Sequence, residues 1–124
     1  MTPEAAIYQF LNGFGVPAYA ASSVPDQADF PRITYQPVIP DMFDQANMAV
    51  TVWYRTDSEA LPNAKVREIG QAIPPRCKVP LPCDGGGMLI SRGSPWAQPV
   101  TVEGDDEKVK RRLLNITIEF IVSD

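Results

Sequence analysis

A chain of 124 residues, 44% of them apolar and 21% charged, has the size and balance of one globular domain, with enough apolar content to exclude a disordered segment. Its formal net charge of −4 argues against a dedicated nucleic-acid binder, which needs a basic face to displace counterions from phosphate, though a local basic strip remains compatible. No run of 18 apolar residues is present, so no membrane-spanning helix is expected.

The opening Met-Thr-Pro-Glu-Ala-Ala lacks the basic and apolar regions of a secretion signal, so cytosolic synthesis and reduced thiols are expected. Instead it reads as a helix start. Thr2 can cap, Pro3 suits the first helical position, and Glu4 complements the positive end of the dipole. Ile7, Phe10, Leu11 and Phe14 follow at i, i+3, i+4 and i+7, an apolar stripe that Asn12-Gly13 and Gly15 terminate. Residues 15–31, with Pro17, Pro25 and Pro31, read mainly as loop.

A first strand is expected over residues 32–38, with Ile33 and Tyr35 on one face and Thr34 and Gln36 on the other. Pro37 and Pro40 limit it and favour an edge position at that end. Residues 41–46 form a connector. In a second strand over 47–55, Met48, Val50, Val52 and Tyr54 share one face, leaving Trp53 on the less buried one. The run 57–62 reads as a capped helix start with Pro62 still in the first turn. Leu61, Ala64, Val66, Ile69 and Ile73 carry the apolar pattern to Pro74-Pro75, which ends the helix. Residues 74–87 are the least regular part of the chain.

Short strands are expected over 88–92 and 98–103, then a turn at Gly104-Asp105-Asp106. The clearest strand is the last, 112–122: Leu114, Ile116, Ile118, Phe120 and Val122 alternate with Leu113, Asn115, Thr117, Glu119 and Ile121, which suits a central position. The expected fold is therefore α+β, an antiparallel sheet of four to five strands with two helices packed on one face.

Chemistry is harder to find. The chain has no histidine, which removes Ser-His-Asp and Cys-His catalysis and most catalytic zinc sites. Asp105, Asp106 and Glu107 are adjacent acids in a turn, but their spacing is not that of a calcium loop. Cys77 and Cys83 cannot supply four zinc ligands and read as two reduced thiols. Gly85-Gly86-Gly87 lacks the residues of a phosphate loop and reads as a hairpin turn. Lys108, Lys110, Arg111 and Arg112 form the basic cluster, with Lys108, Lys110 and Arg112 on one side of an extended strand. Without interleaved aromatics the cluster makes a poor nucleic-acid site; a solvated strand end is the plain reading and a charge-paired subunit contact the alternative. No cofactor, metal or small-molecule substrate is expected.

The run Gly86-Gly87-Met88-Leu89-Ile90-Ser91-Arg92-Gly93-Ser94-Pro95-Trp96-Ala97-Gln98, the acidic Asp105-Asp106-Glu107 and the strand from Arg112 to Phe120 resemble the tail terminator or tail completion proteins of long-tailed bacteriophages, sometimes labelled minor capsid proteins. Gly15-Val16-Pro17-Ala18-Tyr19 and Phe30-Pro31-Arg32-Ile33-Thr34-Tyr35 extend the likeness into the front half, whereas residues 74–83 match no part of it.

The resemblance implies a virion protein of the tail or neck that forms a homo-oligomeric ring, commonly a hexamer, on the end of the tail tube. Such a ring stops polymerisation of the major tail tube protein and presents a docking face to head-neck connector proteins, with DNA only as passing cargo. A head-side connector or stopper is the alternative, and a small carboxylate-based enzyme using Asp105, Asp106, Glu107 and Lys108 a remoter one. Trp53 and Trp96, together with Asp105, Asp106, Lys108, Lys110 and Arg112, are the candidate subunit or partner contacts, because indoles are enriched at interface centres.

Overall fold

The computed structural model describes residues 1–26, 28–38, 45–101 and 108–122. Helix α1 spans Pro3–Leu11; the Thr2 side chain accepts a hydrogen bond from the Ala5 amide at 3.1 Å, which satisfies one of the orphan donors of the first turn. Strand β1 is Ala18–Ala20, β2 Arg32–Tyr35 and β3 Gln45–Arg55; helix α2 is Ala60–Ala72; β4 is Val79–Cys83, β5 Gly86–Val100 and β6 Val109–Val122.

These strands make one six-stranded sheet in the order β1-β2-β3-β6-β5-β4. All pairings are antiparallel except β1 with β2, which is parallel, so the sheet is mixed and wider than the expected four to five antiparallel strands. Alternation sets the core. Met48, Val50 and Val52 of β3 face Ile116, Leu114 and Arg112 of β6 in register, and the apolar members of this set are buried with Ile33, Met88, Ile90 and Ile118. Ala6, Ile7 and Leu11 of α1 join the same cluster, as do Ile69 of α2 and Ile73. Both helices therefore cover one face of the sheet, as the α+β pattern requires.

Helix α1 touches both β1 and β4, the two outermost strands. One short helix can meet both edges only if the sheet bends around its core, so α1 closes the open side. Met1 ties this end down: its ammonium lies 2.6 Å from Asp84 Oδ1, and its carbonyl accepts from the Asp84 amide at 2.7 Å.

Several sequence expectations are corrected. The strand expected over 32–38 ends at Tyr35, and Ala18–Ala20 pairs with Ile33–Tyr35 on its outer side, so the edge position expected at the Pro37 end falls beyond the strand; residues 15–31 hold that short strand and a 3-10 turn at Ala21–Ser23. Residues 74–87 contain β4, whose Pro80 and Pro82 fit an outermost strand. Successive residues turn their amides to opposite sides of a strand, so prolines two apart lose their donors on the same side, the one facing away from β5. That edge is thereby closed to pairing with another strand. The two short strands expected over 88–92 and 98–103 are one strand, β5, with a register shift between Arg92 and Ala97. On α2, Leu61 is 51% exposed and Ala64 is exposed; the buried side runs through Pro62, Ile69 and Gly70.

Candidate functional site

Two surfaces stand out. The first is the sheet face opposite the helices. In register across it lie Arg32 of β2, Trp53 of β3 and Arg111 of β6. The Arg32 and Arg111 guanidiniums sit 5.1 and 4.3 Å from the Trp53 ring centroid, and Arg32 also stacks at 4.5 Å on Phe30. The Trp53 indole N–H donates to Thr34 Oγ1 at 2.8 Å. Trp53 is thus on the less buried face as its alternation with Val52 implies, and the aromatic partner that the basic cluster lacks along the chain is supplied across the sheet. Because Thr34 is itself buried, Thr34→Val would leave the indole N–H without its acceptor; we expect a loss of about 1–2 kcal/mol, read by urea denaturation, and an unchanged midpoint would refute the pairing.

Away from this row the face becomes small and polar, through Thr51, Ala49 and Asn47 of β3 and Thr117 of β6, where Thr117 Oγ1 donates to Asn47 Oδ1 at 3.1 Å. Its far end is apolar: Pro80, Pro82, Leu89 and Ile121 line a hollow of about 440 Å³, and Ile121 is 46% exposed. Between these zones Lys78 Nζ lies 2.8 Å from Glu119 Oε1, which Gln45 also contacts at 2.8 Å. Hydrogen bonds from Lys78 and then Gln45 hold the Glu119 carboxyl below its ordinary value. None of the described helices covers this face.

The second surface is a groove on the helix side, between α2 and the second half of β5. Beyond Ile90, β5 has no partner strand on its outer side among the described residues, since β4 reaches only that far. Trp96 stands in the irregular stretch of β5, half-buried, with the Arg92 guanidinium 4.9 Å from its ring. Arg92 donates to the carbonyls of Ile73 at 2.5 Å and Gly70 at 2.7 Å, satisfying acceptors that the end of α2 leaves open. The groove is a pair of adjoining hollows of about 570 and 230 Å³ that share Val66 and Arg67.

The basic cluster is divided by alternation. Arg112 is only 8% exposed, which corrects its reading as part of a solvated strand end: its Nη2 donates to Glu59 Oε2 and its Nε to Asn63 Oδ1 at 3.0 Å. Lys110 Nζ lies 3.7 Å from the same Glu59, so Lys110 and Arg112 do share a side. Lys108 is exposed, and its carbonyl accepts from the Thr56 amide at 2.7 Å. Arg111 faces the other way, onto Trp53. Asp105 and Asp106 lie outside the described residues. Cys77 and Cys83 are free thiols; burial, then the Asp84 charge, pushes the Cys83 thiol up.

Among the described residues no three side chains of His, Cys, Asp and Glu gather as a metal site, and no helix is long and apolar enough to cross a membrane. The fold and its surfaces define the class of this chain: an α+β domain with a six-stranded mixed sheet and both described helices on one face. No family model matches it, and no curated protein or solved structure is significantly similar to it.

Proposed function

We propose that the chain is a virion assembly protein of the tail terminator or tail completion type, a ring-forming subunit that caps the phage tail tube and acts by binding rather than by turnover. The observation that carries this reading is the sheet face uncovered by any described helix, apolar at the end formed by Leu89 and Ile121 and aromatic at Trp53. An uncovered sheet face with exposed apolar side chains gains by burial against a partner. We assign it to the tube. The expected layout of helix, strands, helix, strands with both helices on one side agrees with the fold that the resemblance implies.

Light scattering on the purified chain, alone and mixed with tail tube protein, tests the reading. The expected result is a closed oligomer on the tube, accompanied by a shift in the emission of Trp53 or Trp96. Leu89→Asp combined with Ile121→Asp is expected to abolish tube binding while self-association persists. A chain that stays monomeric and ignores tubes would refute the proposal.

A further inference from the structure

We propose that the groove between α2 and β5 holds the acidic run of a second copy of this chain, Glu103-Gly104-Asp105-Asp106-Glu107. This inference rests on the ring-forming reading above and names the contact that would link neighbouring subunits.

The groove is built for an extended, negatively charged polypeptide. Its floor is the Trp96 indole with Val66 and the prolines Pro74 and Pro75. Among the described residues its lining holds three arginines, Arg67, Arg92 and Arg112, and no carboxylate. Two of these cations are partly compensated, Arg92 by the carbonyls of Gly70 and Ile73 and Arg112 by Glu59. Arg67 is exposed, and among the described residues its guanidinium makes no hydrogen bond or ion pair. Nor does the Trp96 indole N–H, which lies 3.6 Å from where a side chain at Gly70 would begin. Gln71 and Gln98 add amides at the rim. A groove that offers donors and positive charge over an aromatic floor binds carbonyl and carboxylate oxygens, and planar guanidiniums favour carboxylates in particular.

Charge complementarity selects the occupant. Four acids within residues 103–107 form the densest acidic stretch in the sequence, and the groove offers it three arginines, of which Arg67 and Arg92 have no carboxylate partner among the described residues. Pairing the groove of one copy with the run of another makes a head-to-tail contact, the kind that closes into a ring. Pairing through a groove also suits a molecule whose β4 edge is closed to strand addition by Pro80 and Pro82.

The first test needs no assembly. A synthetic peptide of residues 101–108 is titrated into the Trp53→Phe chain, where Trp96 is the remaining indole. Saturable quenching or shift of its emission is expected, weakened by salt and weakened at least about tenfold by Arg67→Glu, an exposed substitution that leaves the core untouched. Absence of binding overturns the groove assignment, and the ring reading survives if the chain still oligomerises on tubes. The second test is a charge swap. Arg67→Glu and the double variant Asp105→Lys, Asp106→Lys are each expected to lose self-association, and an equimolar mixture of the two to regain it. A mixture that stays as dissociated as its components overturns the proposal. Peptide binding by a chain that remains monomeric with and without tube protein overturns the ring reading, and with it the second copy as occupant.

Discussion

Replacing Gly93 with alanine is expected to cost about 2–3 kcal/mol of stability, the cost of forcing atoms into a filled space. A Cβ at this position would stand 2.8 Å from the Asn115 Cβ and 3.1 and 3.2 Å from the Asn115 carbonyl oxygen and carbon. The obstacle is the backbone of β6, a central strand hydrogen-bonded on both sides, which cannot withdraw without breaking its ladders. Asn115 is fixed further by the bond from its Nδ2 to the Pro95 carbonyl at 2.7 Å, across the stretch where β5 changes register. For a chain of this length the loss corresponds to a fall in Tm of roughly 10 °C. Two controls sharpen the measurement. Ser94→Ala, at the exposed neighbouring position, should leave Tm unchanged. Gly70→Ala meets the end of the Arg92 side chain at 2.9 Å and the Trp96 indole at an ordinary 3.6 Å, and gains about 1 kcal/mol of helix propensity, so its net effect should be small. Equal melting of Gly93→Ala and the parent would show that β5 and β6 do not approach as closely as described.

The same stretch of β5 shows where sequence reasoning reaches and where it stops. Helix α1 and strands β3 and β6 were readable because each carries its own signal: a capping threonine with an apolar stripe in the first, and strict alternation over many residues in the others. In strand β5, Gly93 and Pro95 punctuate the sequence and split its signal into two short strands. What keeps it whole is long-range, the pairing of both halves with β6 on either side of the irregularity. Strand β4 was hidden by its prolines, which count against a strand unless it is known to be outermost; the Asp84-Gly85 pair after it, with Gly85 at φ 84°, was the available hairpin signal. Strand β1 is three residues among prolines, and only its neighbour β2 makes it a strand.

The candidate surfaces divide in the same way. That Trp53 lies opposite the core follows from alternation alone. That it is flanked by Arg32 and Arg111 does not, since three separate strands bring them together. Trp96 falls between the two strands expected over 88–92 and 98–103, and its relation to α2 depends on the fold of β5 against β6. In each case the residue type pointed to a contact, and the partner came from topology. The uncovered face and the groove lie on opposite sides of the sheet, so the two contacts proposed for them, with the tube and with a neighbouring copy, do not compete for the same surface.

Removing the Arg112 side chain should be the other costly substitution, and the outcome should depend on what replaces it. Arg112 is on the core side of β6 opposite Val52, buried beneath the start of α2, where a lysine and arginine run would ordinarily be solvated. Its stem packs and its head reaches Glu59 and Asn63, so the strand anchors the helix through it. Arg112→Ala leaves a void under α2 and should destabilise by about 2–4 kcal/mol. Arg112→Met keeps most of the volume, and because Glu59 is well exposed its carboxylate returns to water, so a smaller loss, about 1 kcal/mol, is expected. Acid adds a distinguishing sign. The hydrogen bond from Arg112, followed by the charges of Arg112 and Lys110, holds the Glu59 carboxyl below its ordinary value of 4.5. A depressed carboxyl contributes stability that is fully present above that ordinary value and is lost as pH falls through the lower, folded one. Urea midpoints of the parent should therefore hold steady from neutral pH down to the ordinary carboxylate range and drop below it. In Arg112→Met the drop should be shallower, retaining the part that comes from Glu119 with Lys78. Parallel acid profiles for the two chains would mean that Arg112 acts through packing alone, with the ion pair contributing nothing to the docking of α2.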